Sequence, residues 1–183
     1  LAWGALGLLD APGGLRVLAL PVVVLAAALA GYTAFLFGQC EGRDLWQTPL
    51  LLPVLLAQAV VAGAATSAVL DVAMTVPDRR AVDVTFVAGL GALALLVAAE
   101  LWSRGSRPVE LATLELTRGA YAARFWIGAV VVGLLIPAAI MVWVVAADAT
   151  SPWPAAVAGV AAVVGMFAYE DAFVRAGQSV PLS

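Results

Sequence analysis

Runs of twenty or so apolar residues dominate this sequence and decide what it can fold into. Residues 15–37, 50–74, 84–102 and 125–147 are nearly unbroken stretches of Ala, Val, Leu, Ile, Gly and Phe. Residues 154–174 form a fifth, with polar residues near its end. A bilayer hydrocarbon core about 30 Å thick is crossed by about 20 residues at about 1.5 Å rise each. Lipid offers no partner to backbone N–H and C=O groups, so each run must be helical. Strands of a membrane barrel would alternate over about ten residues, and the runs do not. The reading is an all-α integral membrane protein, a bundle of about five transmembrane helices forming a single domain over residues 1–183.

Composition agrees. Apolar residues fill 64% of the 183 positions and charged residues only 11%, whereas average soluble domains carry about 25% charged residues. So much apolar surface cannot be hidden inside a soluble fold of this size. All nine basic residues are arginine, and there is no histidine. A membrane cytochrome b holds its haem through axial histidines, so bis-histidine haem is excluded within these residues. One cysteine, Cys40, permits neither an internal disulfide nor a cysteine-ligated cluster. A net charge of −3 without a basic patch gives no basis for nucleic acid binding. The sequence starts at Leu1, residues 1–9 read like the end of an apolar helix, and no signal-peptide pattern precedes them. The expectation is a portion of a longer polypeptide.

Between the runs lie turn formers: "DAPGG" (10–14), "QCEGRDLWQTP" (39–49), "TVPDRR" (75–80) and "DATSPWP" (148–154). The longest connection, 103–124, contains "RPVELATLELTRGAY", whose leucines and charges suit a short helix lying in the interface. Small residues four apart, Gly63 with Ser67 and Ala158 with Ala162, suit close helix contact in lipid. Pro137 should kink the fourth span. Alternate loops fall on opposite sides. One side holds Arg43, Arg104, Arg107, Arg118, Arg124 and Arg175, the other Arg16, Arg79 and Arg80. The positive-inside rule then favours the first side, with the C-terminus, as cytoplasmic.

Ionisable residues at membrane depth are costly, and each is a functional candidate. Glu100, near the end of the third span, reads either as a carboxylate snorkelling beside Arg104 or as one that trades protons with a redox ligand. Glu170 is a second candidate for proton relay. Asp171 and Arg175 are spaced for an i, i+4 ion pair, and Asp71 and Asp83 flank Arg79 and Arg80. Tyr32, near the end of the first span, reads as a belt aromatic or as a hydroxyl donor to a quinone carbonyl. Gln58 reads as an interhelical hydrogen bond, Cys40 as neutral, and Trp46, Trp102, Trp126 and Trp153 as belt anchors. These residues leave quinone redox, transport and anchoring roles open.

Three stretches resemble a known family. "GYTAFLFGQCEGRDLWQTPLLLPVLLAQAVVAGAA" (31–65), "ARFWIGAVVVGLLIPAAI" (123–140) and "FVRAGQSVPLS" (173–183) are similar, in order and spacing, to segments of NrfD/PsrC membrane subunits. The resemblance implies the last five helices of an eight-helix subunit in the inner (plasma) membrane. It implies electron exchange between membrane quinone (menaquinone or ubiquinone) and a docked iron–sulfur ferredoxin-like subunit serving a molybdopterin catalytic subunit. Haem is not expected, and iron–sulfur clusters and molybdopterin belong to the partners. Tyr32 stands at the family's quinone-lining tyrosine, although Ala34 replaces the usual glycine after "YT". Arg43, Trp46, Arg104, Arg107 and Arg118 become candidates for docking the iron–sulfur partner. The rival expectations are a proton-translocating subunit and a purely structural anchor.

Overall fold

The structure, a computed structural model, describes residues 12–103 and 105–181. Helix follows helix: α1 (Pro12–Gly38), a 3₁₀ turn (Asp44–Gln47), α2 (Leu51–Leu70), α3 (Arg79–Trp102), α4 (Arg107–Thr117), a π-helical segment (Arg124–Leu135) running into α5 (Ile136–Ala146), and α6 (Trp153–Ser179). No strand occurs among the described residues. Five stretches are long and apolar enough to cross a bilayer: Val17–Gly38, Leu51–Leu70, Arg79–Trp102, Arg124–Ala146 and Trp153–Ser179. The residue 1–9 stretch and Arg104 lie outside the described residues.

Helix ends depart from the edges of the apolar runs where a polar side chain takes over the backbone. α2 stops at Leu70 rather than at residue 74, because the Asp71 carboxylate accepts from the Val76 N–H and closes a turn. α3 starts at Arg79, ahead of the apolar run, because Asp78 adopts φ 52° and accepts from the Ala81 N–H as an N-cap. α4 is the short interfacial helix, with Ala112 and Leu116 turned inward and Leu111 and Leu114 exposed.

α2, α3, the π–α5 span and α6 interlock, while α1 lies against α2 and the 3₁₀ turn. Val54, Val61, Phe86, Leu90, Met141 and Val144 form the fully buried centre. The outer faces are equally apolar: Leu25, Leu29, Leu95 and Phe167 are all at least 69% exposed. Of the most apolar eighteen residues of α1, only 6% are buried. In water such a surface would far exceed the apolar patches of soluble monomers. In lipid it costs nothing.

The tightest contact is between the π segment and α6. Gly133 and Gly165 meet backbone to backbone, and a Cβ on either would collide with the other's main chain. Gly159 likewise lies against the Ala65 carbonyl, beside the fully buried Ala158 and Ala162. Close approach through small residues is what lipid-embedded helices use, since lipid tails are as apolar as leucine. Gly63 and Ser67 do not take part. Gly63 has open space around it, and Ser67 Oγ donates to the Gly63 carbonyl of its own helix at 3.0 Å. Pro137 is buried one residue past the switch from i→i+5 to i→i+4 bonding, where the Ile136 N–H reaches the Val131 carbonyl. The missing proline N–H thus falls where the ladder changes register.

Replacing Gly165 by alanine should overpack this crossing by about 1–3 kcal/mol and lower the melting temperature of the detergent-solubilised protein. Gly63→Ala should leave it unchanged. Equal melting curves for Gly165→Ala and wild type would contradict the crossing.

Candidate functional site

α2 begins, α3 ends, the π segment begins and α6 ends on the same side of the bundle, here called the near rim. Two polar side chains more than nine-tenths buried point inward beneath it: Gln58 of α2, 8% exposed, and Tyr169 of α6, 5% exposed. The Tyr169 hydroxyl donates to Glu100 Oε2 of α3 at 2.7 Å. Glu100 Oε1 is buried with no hydrogen-bond partner among the described residues. A carboxylate at this depth must find a donor in protein rather than water, and Tyr169 supplies one. The tyrosine ring is held by stacking on Phe173 (centroids 5.8 Å) and by a tilted contact with Phe125 (6.3 Å).

Glu170 follows Tyr169 along α6 and, about 100° further round the helix, takes a different neighbour. It lies within hydrogen-bond reach of Gln58 and also lines an outer groove of about 440 Å³ with Asp171, Arg175 and Gln178. Gln58 of α2 thus faces Glu170 of α6 across the helix interface. Between Gln58 and Tyr169 lies a cavity of about 20 Å³, walled by Val97, Phe125, Ala129, Gly133 and Gly165 among others. The structure therefore gathers Glu100 and Glu170 into one cluster, and adds Tyr169 and Gln58 as their partners. Tyr169 was missed because its partner is 69 positions away. The available signal was the acid itself, which at that depth requires a donor.

Tyr32 stands apart. It is 58% exposed on α1, with no hydrogen-bond partner among the described residues, beside the exposed Leu29, Phe35 and Leu36. Arg107 and Arg118 are exposed at the near rim.

Arg43 and Trp46 turn inward instead. Arg43 Nη1 donates to the carbonyls of Gly177, Gln178 and Val180 at 2.9, 3.1 and 2.8 Å. These are orphan acceptors at the end of α6, and a guanidinium also opposes the negative end of the helix dipole. This clamp carries α6 to Ser179, five residues beyond the apolar run that ends at 174. Trp46 is 8% exposed, not a belt anchor: its indole lies over Gly177, where a Cβ would strike it, and meets Phe37 edge-on at 5.1 Å. Trp102, Trp126 and Trp153 are exposed, as a belt requires. Ser106 bonds Asp44, tying the start of α4 to the same turn.

The opposite rim is fastened by another arginine. Arg79 pairs with Asp71 at 3.4 Å and with the buried Asp83 at 3.7 Å, and donates to the Thr150 and Ser151 carbonyls. Arg80 pairs with Asp148 at 3.2 Å. At the near rim Asp171 takes the expected Arg175 at 2.7 Å and also Arg124 at 2.5 Å. Among the described residues no group of three or more Cys, Asp or Glu side chains could hold a metal ion.

Five apolar spans, two arginine-fastened rims and acids drawn inward beneath one rim define a multi-pass helical membrane protein. The family model "Polysulphide reductase, NrfD" matches residues 8–181, and the protein belongs to this NrfD family of the inner membrane. It is 28% identical over 130 residues to the C subunit of polysulfide reductase from Wolinella succinogenes, an alignment covering 67% of the present sequence and 41% of that relative. The protein thus spans about two fifths of the relative's length. No solved structure matches it.

Arg43→Ala should free the end of α6. Losing a charged donor is worth about 1.5 kcal/mol, or about tenfold in opening, so amide exchange over residues 176–180 should speed up by at least that factor. Exchange unchanged from wild type would contradict the clamp.

Proposed function

We propose that this protein is the quinone-interacting part of a membrane subunit in a respiratory oxidoreductase complex. It passes electrons between membrane quinone or quinol and a docked iron–sulfur subunit, which serves a molybdopterin catalytic subunit. The observation that carries this is the family match over residues 8–181, joined to the name of the relative, a subunit of polysulfide reductase. The sequence supplies no histidine and a single cysteine, so metal-centred electron carriers fall to the partners. Menaquinone or ubiquinone, when bound, supplies two-electron, two-proton redox chemistry.

The residues have separable tasks in this reading. Tyr32 donates a hydrogen bond to the head group from α1. Glu100 and Glu170, beneath the same rim, accept or return protons. Glu170 is suited to this by standing between the interior Gln58 and the outer groove. Arg107 and Arg118 are exposed and available to a partner; Arg43 and Trp46 support docking by holding the 3₁₀ turn and the end of α6 in place.

Transmembrane proton translocation draws less support. Thr66 and Ser67 bond carbonyls of their own helix, and Phe86, Leu90, Val61 and Met141 are fully buried along the spans between Asp83 and Gln58. That apolar layer offers protons no partner. A purely structural anchor, the remaining rival, is separated from this reading by the Tyr32 substitution that follows.

In the purified complex Tyr32→Phe should lower kcat/KM for quinol about tenfold, chiefly through KM, the cost of one hydrogen bond of about 1.4 kcal/mol. Steady-state quinol oxidation measures this. Unchanged activity and quinone affinity would remove the role of Tyr32.

A further inference from the structure

The cavity beneath the near rim has a size and a lining that call for an occupant. Its volume, about 20 Å³, exceeds the roughly 10–15 Å³ that one water requires. Most of its wall is apolar, yet Gln58 and Tyr169 both line it, and both are more than nine-tenths buried. Each is already committed on its other side, Gln58 to Glu170 on the same face of the bundle and Tyr169 to Glu100. A primary amide carries two N–H donors and a phenol oxygen keeps acceptor capacity after donating. Each therefore keeps hydrogen-bonding capacity, and the cavity lies between them. Cavities that stay empty are apolar, and a water needs room for one probe sphere and two to four polar partners; this cavity meets both minima.

We infer that one ordered water bridges Gln58 and Tyr169 and joins Glu170 and Glu100 into a single hydrogen-bonded network across α2, α3 and α6. The donors run in one direction. Gln58 uses one N–H for Glu170 and the other for the water, the water donates to the Tyr169 oxygen, and Tyr169 donates to Glu100 Oε2. No bond is left unmade between the two acids, and Glu100 Oε1 remains the open acceptor. Tyr169 and Gln58 are positioning residues: they hold each acid in register with the other without touching quinone. The rim-facing acid and the interior acid therefore sense each other's protonation through the bridge. This deepens the assignment of Glu100 and Glu170 as proton-relay groups and rests on it for its functional meaning. The bridge itself can be tested without turnover.

The test is infrared difference spectroscopy of the purified complex in H₂O and H₂¹⁸O, with the Glu100 carboxyl signal assigned by its loss in Glu100→Gln. Gln58→Leu removes one polar partner at similar volume. Ala129→Leu fills the cavity and leaves both polar partners intact. Both variants should shift the Glu100 signal in the same sense, and both should abolish a water O–H band that moves with ¹⁸O in the wild type. Tyr169→Phe should shift the Glu100 signal further, through loss of its direct bond. A Glu100 signal identical to wild type in both Gln58→Leu and Ala129→Leu, or no ¹⁸O-sensitive band, would overturn the bridge. Quinol oxidation in the same variants separates the two ideas. Shifted spectra with an unaltered pH profile of activity would retain the network and reject the relay role of the acids.

Discussion

Lipid gives no hydrogen bonds, and nearly every feature of this fold answers to that constraint. The spans are helical because each backbone N–H and C=O must be satisfied within its own segment. The acids inside the bundle each face a polar side chain for the same reason. Glu100 has Tyr169, Glu170 has Gln58, and Asp83 has Arg79. Hydrophobic burial, which organises a soluble protein, has little to contribute between helices already solvated by lipid. Shape takes over, and the Gly133–Gly165 and Gly159–Ala65 contacts let main chains approach where larger side chains would hold them apart.

Two arginines give the bundle its ends. Arg43 gathers the last carbonyls of α6 at one rim, and Arg79 joins the end of α2, the start of α3 and the connection between α5 and α6 at the other. Both sit where a charge can reach water or headgroups, so the desolvation that weakens fully buried ion pairs is moderated. Fastened in this way, the near rim carries a 3₁₀ turn, an interfacial helix and a helix terminus as one surface, with the acid cluster directly beneath. That arrangement connects architecture to the proposed chemistry: Glu100, Glu170, the exposed Arg107 and Arg118, and Tyr32 all lie toward one side of the membrane.

The spans were legible because run length alone separates a membrane helix from a soluble one. Their ends were less so, since they depend on single residues. Asp78 starts α3 ahead of its apolar run, and Arg43 prolongs α6 from a loop about 135 positions away. Of the site, the acids were visible because charge in an apolar run is conspicuous. Tyr169 was invisible because an aromatic residue in an apolar run looks like any other. Trp46 misled because a tryptophan in a loop usually lies in the interface, and only the glycine at 177 opens a slot for it. The π register between Arg124 and Leu135 leaves no mark in the pattern, since apolar residues on all sides suit either winding.

The central proposal is that quinone meets this protein at the near rim, beside Tyr32 of α1. Photolabelling of the purified complex with an azido-quinone, followed by peptide mapping, measures that contact directly. The account predicts label within residues 28–38, displaced by excess unlabelled quinol. Specific label confined to residues 71–78 or 146–153 at the opposite rim, or none that quinol displaces, would contradict it.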